Sequence, residues 1–136
     1  MLNGFKIFLC GTSKITNTHI KVLRKFKNCK IEFIYGKNEL RKDYLSKKFN
    51  ISICNNLVDS KIKNCNLAVI TNSTKDHLSS IETLSKSIKH FIVEKPLVRN
   101  SEELKKLLRL KDENKFSIQE VSQNIFIPII QKNMNK

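Results

Sequence analysis

Short apolar runs alternate along this chain with stretches in which apolar residues recur every three or four positions. KIFLC (6–10) is an apolar run that stops at Gly11, the pattern of a buried strand. From Lys14 to Phe26 the residues Ile15, Ile20, Val22, Leu23 and Phe26 fit a helix with one apolar face. KIEFIY (30–35) is a second strand, ended by Gly36. NELRKDYLSKKF (38–49) is a second amphipathic helix, with Leu40, Tyr44, Leu45 and Phe49 along one side. ISI (51–53) is a short extended piece, and LAVIT (67–71) a continuous apolar strand. STKDHLSSIETLSKSI (73–88) opens with capping residues and carries Leu78, Ile81, Leu84 and Ile88 at helical spacing. HFIV (90–93) is the next strand, SEELKKLLRLKDEN (101–114) a helix and FSIQEV (116–121) a last strand. Asn100 and Glu103 have the spacing of a capping box.

Strands that alternate with helices call for an α/β fold: a doubly wound parallel sheet with right-handed crossovers and helices on both faces. In such sheets ligands bind outside the carboxyl ends of the strands. Four stretches follow strands directly and are the places to seek chemistry: Gly11 to Thr16, Gly36 to Arg41, Thr71 to His77, and Glu94 to Pro96. The last is the most unusual. A carboxylate and an ammonium at the end of a buried strand are costly to desolvate. They stand either at the solvated rim of a loop or where a ligand arrives.

Composition bounds the picture without redirecting it. At 136 residues, 40% of them hydrophobic, the chain is a single globular domain of ordinary size. No apolar run reaches the length of a membrane span, and MLNGFKIFLCGTS is too weakly apolar for a secretory signal. A cytoplasmic chain with no membrane partner is the expectation. Cys10, Cys29, Cys54 and Cys65 lie apart, with no CxxC pair and no neighbouring histidines. They read as small hydrophobes, and no metal site is expected. The net charge of +14 would attract phosphate, whether of nucleic acid or nucleotide. Yet Lys, Asn and Ile share A- and T-rich codons, and the lysines are spread along the whole chain. There is also no aromatic platform or DNA-reading motif, so nucleic acid is not the expected partner.

The first strand-to-helix turn, GTSKIT, keeps one glycine of the dinucleotide fingerprint G-x-G-x-x-G. Gly11 holds the first position; Ser13 and Thr16 stand at the second and third. By itself this is an ordinary βα turn. Together, FKIFLCGTSKITNTHIKVL, LAVITNSTKDH and IVEKPLVRNSEELKKL occur in order and at suitable separations. In that combination the chain resembles, from Lys6 to about Pro128, the N-terminal nucleotide-binding domain of the glucose–fructose oxidoreductase / inositol dehydrogenase (Gfo/Idh/MocA) family. The most specific element is Glu94-Lys95-Pro96 between a strand and a capped helix.

The resemblance implies a Rossmann-like domain over 1–128 and a polar tail over 129–136. It implies the strand order 3-2-1-4-5-6 or a close variant, with Gly11, Gly36, Thr71 and Lys95 along one edge. It implies a nicotinamide dinucleotide, NAD(P), as cofactor and a sugar- or cyclitol-like substrate. Lys95 is then the catalytic residue, donating to a substrate hydroxyl or carbonyl. Glu94 lies against the cofactor or orients Lys95, and Pro96 fixes the turn, with a cis Lys95–Pro96 bond as one form. Gly11, Ser13, Lys14 and Ile15 in the first turn are cofactor residues on this basis. So are Thr71, Asn72, Ser73 and Thr74 after the fourth strand. His77 is either a ligand contact or a packing residue; His19 is read as structural.

The chain departs from the family pattern in three places. The acid expected about 20 residues past the fingerprint to hold the ribose hydroxyls falls at Gly36, followed by Lys37 and Asn38. Lys37 and Arg41, one helical turn apart, are instead candidates for a 2′-phosphate, so NADP is expected to be preferred or tolerated. The family's Asn-Arg-Arg-like stretch after the last strand reads Gln123-Asn124-Ile125. The substrate-holding second α/β domain of the family is absent from these residues. An oxidoreductase domain that needs a further domain, a partner chain or a homo-oligomer for turnover is therefore expected. A non-catalytic module that binds a nucleotide or another protein is the alternative.

Overall fold

The computed structural model describes residues 4–121 of the chain. The strands are β1 (Phe5–Cys10), β2 (Cys29–Tyr35), β3 (Ser52–Ile53), β4 (Leu67–Ile70), β5 (His90–Glu94) and β6 (Ser117–Val121). The helices are α1 (Lys14–Leu23), α2 (Glu39–Phe49), α3 (Thr74–Leu84) and α4 (Ser101–Asn114), with a 3-10 turn at Ser60–Asn64. A polar tail at 129–136 and the segment Gln123-Asn124-Ile125 lie outside the described residues.

The strands form one parallel sheet in the order β3-β2-β1-β4-β5-β6, the order expected. Strand order reverses between β1 and β4, so the chain winds one way from β1 to β3 and the other way from β4 to β6. The helices that follow β1 and β4 pack on opposite faces of the sheet, and a crevice lies at the carboxyl edge of this switch point.

The alternation of side chains along β1 builds both faces of the core. Ile7 and Leu9 pack with Ile20, Leu23, Leu45 and Phe49, so α1 and α2 cover one face. Phe8 and Cys10 pack with Ile81, Leu84, Ile88 and Leu107, so α3 and α4 cover the other. Residues 7–10 are wholly inaccessible, which is why this strand reads as an unbroken apolar run.

Two expected helix faces differ in detail. Leu40 and Tyr44 do not belong to the buried side of α2: Leu40 is 83% and Tyr44 48% exposed. The helix docks through the row Lys42, Leu45 and Phe49, at three and seven residues' spacing, and Leu40 and Tyr44 fall outside it. Lys42 buries its stem in that row and carries its ammonium out to Glu39 Oε1 at 2.9 Å and Asn55 Oδ1 at 3.5 Å. Tyr44 instead lies under the Arg41 guanidinium and the Lys48 ammonium. The helix expected over Lys14–Phe26 ends at Leu23, and Lys25 and Phe26 continue as tight turns onto the carbonyls of Val22 and Leu23.

All four cysteines are free thiols. Burial pushes the thiol pKa of Cys10 and of Cys65 up to about 12 and that of Cys29 up to about 11, and raises that of Cys54. Their folded values lie above the ordinary 9.0. Stability from keeping these thiols neutral is therefore complete below pH 9 and is lost as pH climbs from about 9 toward 12. Each thiol ionised only in the unfolded chain steepens the loss by about 1.4 kcal/mol per pH unit. Urea midpoints should fall faster between pH 9 and 11 in the native sequence than in a Cys10→Ala, Cys65→Ala variant; parallel curves would contradict this. At pH 8 a thiol reagent should leave Cys10, Cys54 and Cys65 unmodified until the chain is unfolded.

Candidate functional site

The carboxyl edge of the sheet carries a cleft of about 450 Å³ between the β1–α1 turn, the β2–α2 turn and the first turns of α3. Gly11, Thr12 and Ser13 form its floor side, Gly36 to Asn38 with Arg41 one wall, and Asn72, Ser73, Asp76, Ser79, Ser80 and Thr83 the opposite wall; Tyr35 and Leu57 complete it. Six residues singled out from the sequence thus share one cavity: Gly11, Ser13, Lys37, Arg41, Asn72 and Ser73. The parallel sheet explains the convergence, because each of these residues follows or closely follows the end of a strand.

Gly11 has φ of +137°, a conformation open to glycine. A Cβ there would collide with Thr71 Oγ1 and lie 2.5 Å from Asn72 N and 2.6 Å from Thr71 C. The β4 exit loop therefore presses directly on the β1 turn. Thr16, buried one turn into α1, links the two: its hydroxyl donates to Gly11 O at 3.3 Å and lies 2.6 Å from Thr71 Oγ1. Where the fingerprint has a third glycine for close helix–strand packing, this chain uses a buried hydroxyl to tie helix to turn.

Ser13 and Ser73 are the N-caps of α1 and α3, and neither side chain caps its helix. The Ser13 hydroxyl donates to Thr71 O at 2.9 Å instead. Two helix N-termini therefore bring first-turn N–H groups without side-chain caps to the same crevice, an arrangement suited to phosphate. Asn38, by contrast, caps α2 through its side chain onto Arg41 N. Arg41 is held over the cleft by Nε donating to Thr12 O at 3.2 Å. Lys37 Nζ reaches Asp76 Oδ1 at 3.4 Å, from the β2 exit to the first turn of α3.

The remaining sequence candidates lie around the cleft rather than in its lining. Lys14 and Ile15 are exposed on the first turn of α1, and Thr74 is half-buried at the start of α3. Thr71 is buried beneath the two loops. His77 is 1% exposed, with Nε2 3.0 Å from Asn72 O and Nδ1 3.1 Å from Leu97 O. It spans from the β4 exit loop to the loop after β5, so it braces the Glu94–Lys95–Pro96 turn against the cleft. Glu94 Oε1 lies 2.6 Å from His19 Nε2 on α1. His19 and Glu94 thereby pin the end of β5 to the first helix. Lys95 is exposed at the carboxyl edge, and the Lys95–Pro96 bond is cis.

Sequence reasoning missed Ser79, Ser80 and Thr83, and it covered Thr12 and Asp76 only within the stretches Gly11 to Thr16 and Thr71 to His77, without singling them out. Asp76, Ser79, Ser80 and Thr83, with the N-cap Ser73, recur at helical spacing as a polar row on α3, a signal present in STKDHLSSIETL but masked by the apolar row that packs the helix. Asn72 was recognised, but not its constraint. Its Nδ2 donates to Ser80 Oγ at 3.0 Å while its buried Oδ1 has no partner among the described residues.

A parallel sheet in Rossmann order, a one-glycine turn and two helix N-termini at the switch point define a dinucleotide-type binding domain. Residues 5–120 match the family described as "Oxidoreductase family, NAD-binding Rossmann fold" (GFO_IDH_MocA), and the chain belongs to that family. No curated protein matches it. Among solved structures it is similar to scyllo-inositol dehydrogenase from Lactobacillus casei with bound NAD(H) and scyllo-inositol, at 17% identity and a TM-score of 0.76, covering 87% of this chain and 36% of that one. It is similar to a 3-ketoreductase from Actinomadura kijaniata in complex with NADP, at 15% identity and TM-score 0.75, covering 87% and 37%. It is also similar to biliverdin reductase from Synechocystis sp. PCC 6803 in complex with biliverdin and NADP+, at 18% identity and TM-score 0.78, covering 97% and 43%. The chain thus spans well under half the length of these structures. Among the described residues no helix is long and apolar enough to cross a membrane.

Proposed function

We propose that this chain is the cofactor-holding domain of a cytoplasmic nicotinamide-dinucleotide oxidoreductase whose substrate is sugar- or cyclitol-like. The observation that carries the reading is the shared cleft at the β1/β4 switch point, with two helix N-termini lacking side-chain caps and Lys37 and Arg41 at one end. The N–H groups of the first turn, from Gly11 and Ser13 to Lys14 and Ile15, hold the pyrophosphate. Ser73 and Thr74 add groups from α3, while Thr71 and Asn72 shape the loop that presses on the turn. His77 and the Glu94–His19 pair position the β5 exit, and Lys95 projects beyond it to donate to a substrate oxygen. Bound there, the dinucleotide would accept or supply a hydride.

Lys37 and Arg41 favour a 2′-phosphate, so NADP binds at least as tightly as NAD. Titration of both dinucleotides tests this: Lys37→Glu should weaken NADP about fivefold or more, and NAD less. No measurable binding of either would reject the cofactor reading. Substrate contact calls for a second wall, supplied by a further domain, a partner chain or a second copy. Without that wall nothing holds a substrate carbon against the nicotinamide, so residues 1–136 alone should produce negligible NAD(P)H from sugars. Robust turnover by the monomer, abolished by Lys95→Ala, would overturn that. The exposure of Lys95 also favours a second reading, a non-catalytic nucleotide-binding module; restoration of turnover by an added substrate domain would reject it.

A further inference from the structure

Asp76 is the sole acid among the described residues that line the cleft. It stands on the first turn of α3, across from the strand end where a ribose-binding acid is expected and Gly36 is found. Its place is fixed by the backbone: Asp76 N donates to Ser73 O at 2.8 Å, and Ser80 Oγ donates to Asp76 O at 2.7 Å. The carboxylate is 22% exposed, whereas its partner Lys37 is 72% exposed. The acid is the more buried half of the pair and the ammonium the more exposed half.

We propose that Asp76 sets how strongly the cleft discriminates between a ribose diol and a ribose 2′-phosphate, by acting as the internal counter-ion of Lys37. The proposal rests on the dinucleotide reading of the cleft. A 2′-phosphate needs the Lys37 ammonium and must draw it away from Asp76, which then faces the phosphate as a like charge. A ribose diol makes no such demand, and its hydroxyls can donate to the carboxylate. Lys37 and Arg41 thus attract the phosphate while Asp76 restrains it, and the site is held nearer to dual use than its two cations alone would set. This also answers the absence of an acid at Gly36: the negative group of the adenosine end comes from the opposite wall.

The test is calorimetric titration of NAD, NADP, adenosine 5′-monophosphate and adenosine 2′,5′-bisphosphate into the native chain and the variants Asp76→Asn, Lys37→Gln and their combination. Asn preserves the shape of the side chain and leaves the backbone bonds of the turn in place. Asp76→Asn should tighten NADP and the bisphosphate about five- to tenfold relative to NAD and the monophosphate. With Lys37 already removed, the same substitution should gain about twofold or less. An NADP/NAD ratio unchanged by Asp76→Asn overturns the proposal while leaving the cofactor reading intact. An equal gain with and without Lys37 also overturns it, because Asp76 would then act without the pair. A native chain that binds none of the four ligands overturns both readings.

Discussion

Gly11→Ala is expected to cost this domain a large share of its stability. Two independent terms add. At φ of +137° an L side chain is strained, at about 1–3 kcal/mol. The new methyl would then sit 2.5 Å from Asn72 N and 2.6 Å from Thr71 C, which are backbone atoms of a loop continuous with β4. A flexible side chain could swing away; this loop cannot, because Thr71 N is held by Cys10 O at 2.9 Å and Thr71 Oγ1 is 2.6 Å from Thr16 Oγ1. Overpacking against a fixed wall adds about 1–3 kcal/mol or more. The sum, about 2–6 kcal/mol, is a large share of the stability of a small domain, about 5–15 kcal/mol. Thr71→Ala should rescue little, since it removes one colliding atom and leaves two. Urea unfolding followed by circular dichroism checks this: a Gly11→Ala chain within about 1 kcal/mol of the native one would show that the turn relaxes freely.

Much of this arrangement can be read from the chain, and what cannot be read has a common cause. β1, β4 and β5 are legible because they are buried on both faces, so apolar residues follow one another without interruption. The positions of Gly11, Ser13, Lys37, Arg41, Asn72 and Ser73 in one cleft follow from topology alone, since parallel strands bring all their exits to one edge. α2 was legible as a helix but not as a surface. Its mean composition is so polar that Lys42 in the docking row and Leu40 outside it reverse the usual pattern. The 3-10 turn at Ser60–Asn64 is too short to show a period. The pairs His19–Glu94 and Lys37–Asp76 lie 75 and 39 residues apart in sequence, and neither partner carries a local mark of the other. Side-chain pairing across loops is set by the packed sheet, after local preference has done its part.

The same limit applies to Gly36, where a sequence comparison registers only a missing acid. The structure gives the vacancy a physical cause in Thr12. A Cβ at Gly36 would collide with Thr12 Cγ2 and lie 3.0 Å from Thr12 Oγ1 and 3.3 Å from its Cβ. Thr12 is itself 8% exposed, wedged in the β1 turn, so its methyl has little room to rotate away. Gly36→Asp should therefore fail to create a ribose-binding acid and should destabilise the domain by about 1–3 kcal/mol. Unlike the atoms around Gly11, all three obstacles here belong to one side chain. Thr12→Ala removes two of them and keeps the backbone carbonyl that holds Arg41, so the double variant should recover most of the lost stability. With the aspartate then seated beside Lys37 and Arg41, the ratio of NAD to NADP affinity should rise about tenfold over that of the native chain, through attraction of the diol and repulsion of the phosphate. Equal stability of Gly36→Asp and the native chain would refute the steric account. Full rescue of folding with no change in the cofactor ratio would move the adenosine ribose away from this end of the cleft.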